Sequence, residues 1–161
     1  MLKRFACLSV TVAILLASTS ASAGWNGAQW GMTPQEVETA TNGFARATRD
    51  RLPSEGSRPR IGNRAEFENN LSSFEVIYRF DHTGLYQIEL NPEFDDCEVV
   101  MRSFIQSFGQ PEYQEQVILR TFVWLDEAND NRIVLLHSTA DVCEFNFGSL
   151  SQFNARNGDD E

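Results

Sequence analysis

Apolar positions along this chain repeat with two different periods, and each change of period marks an element. Cys97, Val100, Met101, Phe104 and Phe108 fall at i, i+3, i+4, i+7 and i+11, which places all five on one face of a helix. Asp95 ahead of them and Glu98 three residues later read as a capping box, with Asp96 adding negative charge where the helix dipole favours it. Gly109 and Pro111 end the helix. An earlier helix starts at Thr33-Pro34-Gln35-Glu36, with Thr33 as N-cap, Pro34 at the first helical position and Glu36 closing the box. Val37, Ala40 and Phe44 share its inner face, and Gly43 marks its end. Trp25 and Trp30 are expected to pack beneath it.

Between and after these helices the period is two. Ala65 and Phe67 predict a short strand, and Phe74, Val76, Tyr78 and Phe80 line one face of a second. Asp81-His82-Thr83-Gly84 is a hairpin turn, and Tyr86, Ile88 and Leu90 lie on the return strand. Residues 117–125 are apolar on both faces and predict a central strand. After an acidic, Asn-rich turn at 126–131, residues 133–137 and 142–147 complete the set, with Cys143, Phe145 and Phe147 on one side. Residues 46–64 follow neither period: Pro53, Gly56, Ser57, Pro59 and Gly62 predict a long loop.

The expected fold is a single α+β domain over residues 24–153. It is an antiparallel sheet of about five to six strands with two helices on one face, in the order α-β-β-β-α-β-β-β. The two halves have similar layouts but little residue identity, so a duplication stays open. Residues 154–161 are polar and acidic and predict a disordered tail.

The start of the chain changes the picture of charge and compartment. Lys3 and Arg4, an apolar run from Val10 to Ala17, and Ala21-Ser22-Ala23 make the three parts of a signal peptide over residues 1–23. The apolar run is too short to span ~30 Å of hydrocarbon. Cleavage after Ala23 leaves no membrane anchor and implies a bacterial periplasm. It also leaves 11 basic residues, all Arg, against 23 acidic ones, a net charge of −12. So acidic a protein does not suit nucleic acid, which needs Lys and Arg to displace phosphate counterions. Cys97 and Cys143 are then the two cysteines of a chain in an oxidising compartment, and they read as a disulfide joining the second helix to the last strand.

Candidate chemistry is sparse. Arg46, Arg49, Arg51, Arg58, Arg60 and Arg64 crowd the 46–64 segment beside only Asp50 and Glu55. Either they neutralise neighbouring acids, or Arg58, Arg60 and Arg64 present an anion- or partner-facing surface. Asp95, Asp96 and Glu98 are explained by helix capping. Asp126, Asn129 and Asp130 do not have the spacing of an EF-hand loop. His82 falls at a turn and His137 within a strand, neither beside a nucleophile. No catalytic residue, metal site or cofactor is assigned.

Trp30-Gly31-Met32-Thr33-Pro34-Gln35-Glu36-Val37 resembles the opening box of many small exported bacterial α+β proteins of unknown function. Phe108-Gly109-Gln110-Pro111, Thr121-Phe122-Val123-Trp124 and Ile133-Val134-Leu135 follow in the order seen in such proteins. More distantly the chain is similar to the small lipoprotein of the outer-membrane β-barrel assembly machine and to secreted β-lactamase inhibitor proteins. Those share helix-plus-β-meander units and bind other proteins. This chain lacks the lipidated cysteine of the first and a clear tandem repeat of the second, and neither supplies catalytic residues.

The function expected is therefore that of a non-catalytic, periplasmic protein-binding protein of the cell envelope. Its partner is another envelope protein, in one version a basic one. Two alternatives stay open. One is an inhibitor or immunity-type protein against a basic, lysozyme-like envelope enzyme, for which charge complementarity would speed association. The other is a small-anion-binding module using the Arg-rich segment.

Overall fold

The computed structural model describes residues 24–48, 51–115, 118–138 and 141–157. The signal-peptide reading for residues 1–23, and Arg49, lie outside these. Helix α1 (Pro34–Ala40) is followed by β1 (Arg46–Ala47), β2 (Arg60–Glu68), β3 (Ser73–Asp81) and β4 (Gly84–Pro92). Helix α2 (Cys97–Phe108) is followed by β5 (Glu112–Glu115), β6 (Arg120–Asp126), β7 (Asn131–Ser138) and β8 (Val142–Ser149). Helix α3 (Leu150–Asn157) comes after β8.

The eight strands form one antiparallel sheet in the order β1-β2-β3-β4-β8-β7-β6-β5. Each half is a helix plus a four-stranded meander, and the halves meet where their last strands pair, β4 against β8. Because that pair is antiparallel, a half-turn about the sheet normal relates the topology of one half to the other.

Directly opposed residues in antiparallel strands share a face. One apolar row therefore crosses seven strands: Ala65, Val76, Leu90, Phe145, Leu135, Phe122 and Tyr113. Helices α1 and α2 cover this face. Phe104 of α2 stacks on Phe145 with ring centroids 4.4 Å apart, and Cys97 is disulfide-bonded to Cys143 with Cα atoms 5.9 Å apart. Burying side chains of this size contributes roughly 1.5–3 kcal/mol each. The buried Asn63 amide ties α1 to the sheet, its Nδ2 donating to Pro34 O at 3.0 Å and Ala45 O at 2.8 Å. Trp30 is buried, and Trp25 packs against Phe44 and Phe67.

This architecture corrects the α+β expectation of five to six strands with two helices. The described residues are mostly β, with eight strands in one sheet and three small helices. Most of β2 lies in the 46–64 segment, where Gly62 and the neighbouring Pro and Gly residues predict a loop. The missing side chain of Gly62 instead admits the Phe80 ring, which a Cβ would meet at 2.5 Å, and β2 carries a bulge at that point. Strand β5 has no alternating pattern to predict it, because all four of its residues are exposed. Strand β6 is not central but next to the edge. The capping box at Asp95 is also absent: a 3-10 turn, Phe94–Asp96, leads into α2, and Asp96 occupies the cap without a side-chain bond.

Residues 154–157, expected in a tail, belong to α3, which lies across the other sheet face. The Phe153 ring sits 4.2 Å from the Arg132 guanidinium, and Arg132 is opposite Leu125 and Gly148 on the face away from α1 and α2.

Candidate functional site

The face not covered by α1 and α2 is polar at its centre. Arg64, Ile77, Glu89, Asn146 and Val134 form one row across it. Glu89 is buried, and its carboxylate accepts from the Arg79 guanidinium and from Gln87 Nε2. That bond to Glu89 holds the Arg79 pKa above the usual guanidinium value. Gln87 in turn donates to Asn146, whose Nδ2 donates to Glu144 Oε1 at 2.7 Å. A buried charge satisfied this fully stabilises one arrangement of the sheet.

Beside this network α3 roofs a groove of about 400 Å³, lined by Val134, Leu136, Phe153, Gly148, Arg132 and Glu144 among others. Pockets of this volume suit small ligands. Gly148 leaves the floor bare: a Cβ there would meet nothing nearer than Tyr86 O at 3.8 Å. Burial among apolar groups lowers the Arg132 pKa. Among the described residues no carboxylate lies within 4.0 Å of its guanidinium.

The far end of the sheet is different. Strand β5 is a terminal strand, so one backbone edge has no neighbour among the described strands. Around it Phe108, Tyr113, Ile118 and Leu125 are 39%, 50%, 80% and 49% exposed. Glu112, Glu115, Asp126 and Glu127 surround them. Exposed apolar groups beside a free strand edge are characteristic of docking surfaces.

Within the Arg-rich segment, Arg46 and Arg64 stand opposite each other across β1–β2 and share a shallow pocket with Phe44, Glu66 and Glu75. Arg60 and Arg64 both lie in β2, roughly 13 Å apart along the strand, and Arg58 lies in the approach to it. Arg64 is paired with Glu75. Arg58 and Arg60 are exposed with no ion-pair partner among the described residues. His82 is exposed at the β3–β4 turn, and His137 stands opposite Cys143 and Arg120. Asp126 accepts from Asn129, while Asp130 is bonded to the start of α3. Among the described residues no three His, Cys, Asp or Glu side chains gather as metal ligands, and no helix is long and apolar enough to cross a membrane.

Sequence reasoning missed Arg132, Gly148 and Phe153 because they are brought together only when α3 folds back over the sheet. The one usable signal was Gly148 within an otherwise regular strand, where glycine marks close approach or open space. A scan of protein-family models, a search of curated proteins and a search of solved structures each found no match to this chain.

Proposed function

We propose that this is an exported, non-catalytic protein-binding protein of the cell envelope, and that its partner docks at the β5–β6 end of the sheet. The observation that carries this reading is the free β5 edge, whose exposed apolar neighbours are framed by Glu112, Glu115, Asp126 and Glu127. The two glutamates on β5 oppose pairing with a second copy, since like charges would meet across the new ladder. An extended basic segment would add to the edge favourably. The Cys97–Cys143 disulfide suits an oxidising compartment, and the motif resemblance to binding proteins points the same way.

The test is capture from periplasmic extract at low and high salt, using the wild type and Glu112→Lys/Glu115→Lys. Enrichment of a basic protein at low salt, weakened by salt and lost in the variant, is the expected result. No enriched protein at low salt, or capture indifferent to the variant, overturns the reading. The narrower form, inhibition of a basic envelope enzyme, rests on the net charge of −12 left after Ala23. It is read directly as salt-sensitive inhibition of a lysozyme.

A further inference from the structure

The groove beneath α3 has opposite charges at its two ends. Arg132 stands directly opposite Gly148 in the β7–β8 register, and Arg156 also lines the groove. Arg156 lies 3.6 Å from Asp81, whereas Arg132 has the Phe153 ring against its guanidinium and, among the described residues, no carboxylate within 4.0 Å, Glu112 of β5 acting on it from farther off. This end therefore keeps a guanidinium that no carboxylate contacts directly. Glu144 lies four residues back along β8, opposite Leu136, or roughly 13 Å away at strand spacing. There the two carboxylates of Glu89 and Glu144 share the single guanidinium of Arg79, leaving one negative charge. Between the ends, Val134, Leu136 and Phe153 supply apolar surface, and Gly148 leaves space above the strand.

A ligand matching this groove has an anionic end, a cationic end and an apolar body. An extended tripeptide spans roughly 10–11 Å, which fits the separation of the two charges. We propose that the groove binds a short apolar peptide with free termini, its α-carboxylate on Arg132 and its α-ammonium beside Glu144. Gln87 and Asn146 lie alongside, where their amides can meet the peptide backbone. This site lies beneath α3 and not at the β5 edge, although Glu112 of β5 acts electrostatically on Arg132. Cation–π contact with Phe153 and partial burial hold the Arg132 fork in place before the ligand arrives, which reduces the ordering required on binding.

Titration with trileucine, its C-terminal amide and its N-acetyl derivative tests the assignment, with amide chemical shifts recorded alongside calorimetry. Trileucine is expected to bind and to shift resonances in β7, β8 and α3. Each capped analogue should bind about tenfold more weakly or worse, as for loss of a charge-assisted hydrogen bond. Arg132→Gln should weaken trileucine by the same factor while leaving the amide unaffected, and Glu144→Gln should do likewise with the N-acetyl peptide. Gly148→Leu fills the floor and should abolish binding of all three. Circular dichroism establishes folding of each variant, and the two charge variants carry the test if Gly148→Leu does not fold.

Three results would overturn the proposal. The first is no saturable binding of trileucine. The second is an equal loss of acid and amide in Arg132→Gln, which a merely structural arginine would give. The third is undiminished binding of the N-acetyl peptide, which would assign the groove to the C-terminus of a longer chain.

Discussion

Asp130 holds Ser151 at the start of α3: its Oδ1 accepts the Ser151 backbone N–H at 2.7 Å and its Oδ2 the Ser151 hydroxyl at 2.9 Å. The same carboxylate accepts the Ser149 hydroxyl at 2.8 Å, and Ser149 Oγ accepts the Gln152 N–H at 3.2 Å. A residue of the β6–β7 turn thus anchors the helix that roofs the groove.

Asp130 has a positive φ of 52°, so Asp130→Gly keeps the backbone and removes only the carboxylate. Loss of these bonds should weaken α3 by roughly 1–2 kcal/mol. Hydrogen exchange is the suitable measurement. Faster exchange in α3 with β3 and β4 unchanged is expected, whereas uniform acceleration would mean that Asp130 supports the whole sheet.

Replacing Cys97 and Cys143 together by Ala should lower stability by roughly 4 kcal/mol, the chain-entropy value for a closure of 46 residues. Urea unfolding of both proteins gives the difference directly. A loss below about 1 kcal/mol would mean that Phe104 stacking on Phe145 already holds α2 against β8 without the covalent bond.

Gly84 and Gly43 both have positive φ, at 117° and 76°, but their surroundings differ. A Cβ at Gly84 would strike the Gly31 carbonyl, while at Gly43 nothing lies within 4 Å. Gly31 N also donates to Leu85 O at 2.9 Å, and Leu85 N to Met32 O at 2.8 Å. Gly84→Ala should therefore disrupt this junction and destabilise by roughly 3 kcal/mol or more. Gly43→Ala carries only the left-handed strain of about 1–2 kcal/mol. Thermal melts of the pair separate steric conflict from backbone strain.

Tyr78 is wholly buried, and its hydroxyl has no hydrogen-bond partner among the described residues. Burial raises its pKa well above the ordinary 10.0. Above pH 10 the unfolded chain releases this proton and the folded chain keeps it, so stability is full below that pH and falls as pH rises. Tyr78→Phe should remove this part of the alkaline loss and stabilise the protein by about 1 kcal/mol at neutral pH, since an unpaired polar group leaves the core. Unfolding curves at neutral and alkaline pH check both statements. A destabilised Phe variant would show that the hydroxyl is satisfied in solution.

Glu36 accepts the Thr33 backbone N–H at 2.8 Å, and that bond holds its pKa below the ordinary 4.5. Its support of α1 is present above that pH and is lost as pH falls through the carboxylate range. Acid titration of the Glu36 carboxyl by NMR should show the depressed midpoint, and Thr33→Ala, which removes the Thr33 hydroxyl bond at 2.9 Å but keeps the backbone N–H, should restore it only in part.

Local interactions made much of this protein legible. The capping box at Thr33 and Glu36, the β3–β4 turn at Gly84 and the apolar stripe of α2 depend on neighbours a few residues away. The Cys97–Cys143 pair followed from having two cysteines after the proposed leader.

The sheet order, the number of strands and the groove were decided by contacts between distant segments. Gly62 is a strand residue only because the Phe80 ring occupies its missing side-chain space, and β5 is a strand only because β6 offers it a ladder. Arg132, Gly148 and Phe153 form a site only once α3 turns back at Asp130 and lies on the sheet. Local spacing and composition carry no record of such pairings, because their free energy comes from burial between surfaces that the chain brings together only on folding.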